Sequence, residues 1–172
     1  MNFRTVLLAA LLLLAVATAY AAAPKARAVE WMSWDLGLAR AATTDRPVLV
    51  DVYTDWCGYC RKMEREVYSR EDVRGYLARR FVTVKVDAES SKPATVAARR
   101  LTESAIASRF RVTGYPTTVF LKSNGEHLVN VPGYIPADRF LLLLRYVGDG
   151  HLERGVSFED FVAKAGANSR GQ

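Results

Sequence analysis

The chain is poor in the residues that bind metals and staple small folds: it holds two cysteines and two histidines among 172 residues. His127 and His151 are far apart in sequence and mis-spaced relative to each other. With the cysteines they do not make the four-ligand set of a structural zinc site, and both read as surface residues. Because both cysteines, Cys57 and Cys60, are spent on one short motif, no framework of long-range disulfides holds the fold, and packing must do so. A net charge of +6 comes with no basic block and no aromatic-interleaved basic stripe, which argues against nucleic acid as a partner and for a generally solvated basic surface. There is no internal repeat, no low-complexity tract after the first residues, and no nicotinamide or flavin motif, so no cofactor is expected.

One apolar run stands out, Val6–Val16, preceded by the single charge of Arg4 and followed by Ala19-Tyr20-Ala21. This is the pattern of a secretory signal cleaved after Ala21, short for a membrane span, though an uncleaved anchor is the alternative. The expected organisation is a signal peptide over 1–21 and one domain over 22–172. Its core covers about 29–147, a flexible lead-in occupies 22–28, and a helical extension runs over 148–172. The expected location is periplasmic, and the expected oligomeric state is a monomer.

Periodicity along the domain predicts a helix over 31–42 with Ser33 as its cap, a buried strand over 47–53 and a helix starting near Cys57. Ser69-Arg70-Glu71-Asp72 opens a further helix, and residues 81–87 alternate as a second strand. The polar, alanine-rich stretch 88–101 reads as a loop or short helix, and 102–110 as a helix. Two strands over 115–121 and 126–131 flank Ser123-Asn124-Gly125, a hairpin turn, and a helix over 136–147 carries Phe140, Leu143, Leu144 and Val147 on one face. A last short helix follows Ser157. This order of elements predicts an α/β fold with a central mixed sheet and helices on both faces.

Trp56-Cys57-Gly58-Tyr59-Cys60 carries the chemistry. Two thiols two residues apart can close a small disulfide ring and reopen it, and thiol–disulfide exchange needs a thiolate with a neighbour to resolve the mixed disulfide. A structural cross-link gains little from so small a loop. Cys57 sits where a strand passes into a helix N-terminus, which stabilises a thiolate, so it is read as the exposed nucleophile and Cys60 as the more buried resolving thiol. Asp51 lies within the apolar strand, where burial raises a carboxyl pKa, and Lys85 can reach it from the neighbouring strand. Trp56 and Tyr59 flank the nucleophile as an apolar contact surface for polypeptide, with packing as the competing role for either, and evenly so for Trp56. Tyr115-Pro116 is an aromatic–proline pair suited to a cis bond, which would offer backbone groups of Tyr115 to an extended substrate.

Val50-Asp51-Val52-Tyr53-Thr54-Asp55-Trp56-Cys57-Gly58-Tyr59-Cys60, Gly114-Tyr115-Pro116-Thr117 and the hairpin at Lys122–Glu126 resemble, in order, the strand, active-site helix, cis-proline loop and hairpin of the thioredoxin superfamily. With Met63 three residues after Cys60, the chain looks most like exported thioredoxin-like proteins. The resemblance implies a thioredoxin fold and a protein thiol:disulfide oxidoreductase, with Asp51 accepting the proton of Cys60 through water. It implies protein substrates bearing disulfides or thiols and a membrane electron donor of the dithiol type, with the chain acting as a reductant. Two departures bear on this. Gly58-Tyr59 replaces the Gly-Pro of cytoplasmic thioredoxins and is similar to the dipeptide of periplasmic disulfide isomerases, whose separate dimerisation domain the stretch before residue 47 is too short to hold. Residues 88–101 look like an insertion. A disulfide isomerase or oxidase, or a non-catalytic assembly protein of the same fold, are the alternative functions.

Overall fold

A computed structural model describes residues 28–168, so the expected signal at 1–21 and most of the lead-in lie outside the described residues. The elements in chain order are α1 (Trp34–Thr44), β1 (Val48–Tyr53), α2 (Gly58–Met63), a π-helical turn (Glu64–Tyr68), α3 (Glu71–Arg80) and β2 (Val82–Asp87). There follow β3 (Pro93–Val96), β4 (Arg99–Thr102), α4 (Glu103–Arg109), β5 (Thr117–Leu121), β6 (His127–Pro132), α5 (Ala137–Gly148) and α6 (Phe158–Asn168). The main sheet has strand order β2-β1-β5-β6, with β1 parallel to β2 and antiparallel to β5. It is the central mixed sheet of the thioredoxin fold, flanked by helices. Among the described residues no helix is long and apolar enough to cross a membrane.

Strand alternation sorts β1 between two cores. Val48, Val50 and Val52 face a layer with Val82, Val84, Val86, Val119 and Leu121, covered by Trp34 and Ala41 of α1 and Ile106 of α4. Leu49 faces the opposite layer, where Met63, Leu77, Phe120, Phe140 and Leu144 pack from α2, α3, β5 and α5. Burying each of these large side chains contributes about 2 kcal/mol. Asp51 shares the face of Leu49 and stands level with Lys85 on β2 and Thr118 on β5. On the other face α1 lies very close to β2: a Cβ on Gly37 would come within 2.1 Å of Val84 Cγ2, so only glycine fits there.

Several sequence expectations need correcting. Residues 31–33 are not helical, because Met32 is taken up at the edge of β2: its N–H donates to Thr83 O and its carbonyl accepts from Lys85 N. Ser33 precedes α1 but makes no side-chain capping bond. Ser69 does not cap α3 either; its hydroxyl donates to Arg65 O, and Arg70 occupies the capping position. Within the stretch 88–101, residues 88–92 are a loop as expected, but from Pro93 the chain forms a β-hairpin, β3 antiparallel to β4, and no helix. Its two turn residues, Ala97 and Ala98, both have positive φ, at 48° and 64°. The hairpin is tied to α1, where Trp34 Nε1 donates to Thr95 O and Asp35 accepts from Thr95 N. Thr102, by contrast, caps α4, and Ser157 Oγ accepts from Asp160 N at the start of α6. His151 is half-buried rather than on the surface, stacked on Tyr146 and against Phe161, whereas His127 is exposed.

Candidate active site

β1 ends at Tyr53, and the chain turns through Thr54–Trp56 before α2 begins. Cys57 is the residue that caps α2, with extended backbone (φ −68°, ψ 107°), and its N–H donates to Thr54 O. Cys57 and Cys60 are joined by a disulfide with Cα atoms 5.3 Å apart. Cys57 Sγ also accepts the N–H of Cys60 at 3.0 Å, a donor the helix start would otherwise leave free. The same bond favours negative charge on that sulfur once the disulfide is opened. The two residues' burial is the reverse of expectation. In the disulfide form Cys57 is 4% exposed and Cys60 is intermediate, because Cys57 is folded in by its bonds to Thr54 and Cys60.

Asp51 is 3% exposed. Tyr68 Oη donates to its Oδ1 at 3.2 Å, and Lys85 Nζ lies 3.8 Å from its Oδ2. Burial pushes the carboxyl up to about 6, against the pull of Lys85 and the Tyr68 hydrogen bond, with the charge of Glu64 adding to the rise. Lys85 is shared: it lies 3.0 Å from Glu64 Oε2 and over the rings of Trp31 and Tyr53. The pattern of the strands points to Lys85, whereas nothing in the sequence marks Glu64 or Tyr68 as belonging to this cluster. In the sequence Tyr68 stands only as an apolar neighbour of Val67 in an otherwise polar run, which reads as packing alone.

The rim is aromatic. Trp56 is 64% exposed and Tyr59 62%. The Trp56 ring meets Tyr115 edge-on at 5.9 Å, and its indole N–H donates to Glu89 Oε1 on the approach to the β3–β4 hairpin. Tyr59 lies 6.3 Å from Tyr134, a rim residue that the sequence did not disclose; its hydroxyl donates to Glu66 and its ring lies under Lys62. The Tyr115–Pro116 bond is cis, β5 starts after it at Thr117, and Pro116 O accepts from Gly133 N. Among the described residues no group of histidine, cysteine or acidic side chains could hold a metal ion.

A strand-to-helix cysteine pair with a buried acid on the strand and a proline loop beside the aromatic rim defines the thioredoxin-like thiol:disulfide oxidoreductases. The family model for the thioredoxin-like domain matches residues 34–148, and the chain belongs to that family. Curated relatives include the thiol:disulfide interchange protein DsbD of Ralstonia nicotianae, 38% identical over 108 residues (62% of this chain, 16% of that protein), and that of Cronobacter sakazakii, 31% identical over 108 residues (62% and 17%). The match thus spans about a sixth of the length of those proteins. Similar solved structures include a thioredoxin from Thermus thermophilus, 30% identical with a TM-score of 0.57 over 73% of this chain and 96% of that one. A putative disulphide-isomerase from Bacteroides thetaiotaomicron is 27% identical, with a TM-score of 0.55 over 73% and 95%.

Proposed function

We propose that the chain is an exported reductant of disulfides in protein substrates, resupplied with electrons by a membrane dithiol carrier. The observation that carries this reading is the Cys57–Cys60 pair at the head of α2, with the Cys60 N–H on Cys57 Sγ. In the reduced protein the Cys57 thiolate attacks a substrate disulfide, forming a mixed disulfide and releasing the first substrate thiolate. Cys60 gives its proton to Asp51 through water and attacks Cys57 Sγ. The second substrate thiolate then leaves and the Cys57–Cys60 disulfide is restored. Two electrons have passed to the substrate. A carboxyl that titrates near 6 is ionised at neutral pH yet basic enough to take a thiol proton transiently.

Trp56, Tyr59 and Tyr115 serve as the apolar contact for the substrate chain, and the backbone beside Pro116 pairs with it as an added strand. The sequence carries no nicotinamide or flavin motif, which supports another protein as the electron source. The Val6–Val16 run with Ala19-Tyr20-Ala21 supports export to the periplasm, and intact mass of the exported protein, starting at Ala22, tests it. The test of function is the redox equilibrium with glutathione, together with insulin reduction by the parent and Cys57→Ser. A potential near the −270 mV typical of thioredoxin, with activity lost in Cys57→Ser, is the expected result. A value near that of a strong oxidant, about −120 mV, would reverse the assigned direction.

A further inference from the structure

The i→i+5 turn over Glu64–Tyr68 closes the C-terminal end of the helix that α2 begins and takes in one residue more than an α-helical turn. Both ends of the turn reach the sheet face that carries Asp51 and Lys85: Glu64 pairs with Lys85 and Tyr68 donates to Asp51. Tyr68 is 2% exposed, gripped edge-on by Trp31 at 4.9 Å and by Phe140 at 5.7 Å, so packing fixes where its hydroxyl points. A phenylalanine would fill the same space. The hydroxyl adds polar contacts that a phenylalanine would lack: it donates to the buried carboxylate of Asp51 and meets the buried Thr118 hydroxyl of β5.

We propose that Tyr68 is a positioning residue for the dithiol reaction, its hydroxyl holding Asp51 aimed and ionised so that this carboxylate can take the proton of Cys60. The proposal rests on the role given to Asp51 above. Burial and three groups, Lys85, Tyr68 and Glu64, set the charge on Asp51, and two more polar groups stand beside it. Tyr68 and Lys85 favour the carboxylate, while Glu64 from the π-turn and Tyr53 from the same strand stand near it, and Thr118 brings a buried hydroxyl level with it from β5. Burial and the nearby Asp51 charge push the Tyr68 phenol well above its ordinary value, so it stays a donor wherever the dithiol works.

Tyr68→Phe, Asp51→Asn and the double variant test this in the full chain. Two readouts are followed against pH: the carboxyl carbon shift of Asp51, and the rate at which Cys60 expels thionitrobenzoate from a mixed disulfide on Cys57. Tyr68→Phe should raise both midpoints by about one unit, slowing resolution about tenfold below the midpoint while leaving the high-pH plateau. Asp51→Asn should flatten that limb, and adding Tyr68→Phe to it should change nothing further. An unmoved Asp51 midpoint in Tyr68→Phe, or an equal slowing on the Asp51→Asn background, overturns the proposal while the Asp51 role stands. If Asp51→Asn keeps the parental pH profile, the Asp51 role itself fails and this proposal fails with it.

Discussion

Replacing Asp51 with asparagine should change the sign of its effect on stability between pH 4 and pH 7. An unfolded aspartate titrates near 3.9, while in the fold Asp51 is raised to about 6, mainly by burial. Below the unfolded value both states are protonated and the carboxyl carries no penalty. As pH rises from there the unfolded chain ionises first, so native stability falls until pH passes the folded value and then levels off. A gap of about two units corresponds to about 3 kcal/mol lost by pH 7. The asparagine side chain escapes that loss and keeps an oxygen for the Tyr68 bond, but turns an amide N–H toward Lys85, which forfeits about 1 kcal/mol. The variant should therefore be less stable than the parent by about 1 kcal/mol at pH 4 and more stable by about 2 kcal/mol at pH 7, or about 4–8 °C in Tm. Urea denaturation of both oxidised proteins at the two pH values measures this. A stability difference independent of pH would refute the buried, raised carboxyl.

Trp56→Ala should leave the denaturation midpoint nearly unchanged, since the side chain is mostly exposed, yet raise KM for insulin several-fold; unchanged KM would remove Trp56 from the contact surface. Gly37→Ala drives a methyl to within 2.1 Å of Val84 Cγ2 and should cost about 3 kcal/mol in urea denaturation, because α1 must be pushed off β2. Ala98→Gly relieves a left-handed residue in the β3–β4 turn and should stabilise by about 1 kcal/mol, with lower stability as the contrary result.

What the sequence made legible is what local pattern determines. The valine alternation of β1, the Asn124-Gly125 turn and the apolar face of α5 each follow from residues within a few positions of one another, and the structure has all three. The misread parts are those decided from far away. Residues 31 and 32 have helical spacing, but the exposed edge of β2 offers Met32 two backbone hydrogen bonds that a first helical turn does not. Ala97 and Ala98 are good helix formers, and what favours a hairpin there lies elsewhere in the fold: the bonds from α1 to Thr95 and the burial of Ala94 in the core. At the site, the cysteines, Asp51 and the cis bond sit on short motifs and could be placed in advance. The burial order of the cysteines depends on bonds across the turn at Thr54, and the Tyr68–Asp51 contact depends on a π-turn that no spacing rule anticipates.

The alternation of valine and aspartate along β1 also bears on how the sheet assembles. If β1 slipped by one position against β2 and β5, its valines would leave their layer and Asp51 would enter it, among Val84, Val86 and Val119 and away from Tyr68 and Lys85. An unpaired carboxylate in that layer is far more costly than the same group in its own place. Asp51 thus weakens the correct alignment a little and the neighbouring ones a great deal, so a residue that lowers the stability of the finished fold also proofreads the strand pairing that leads to it.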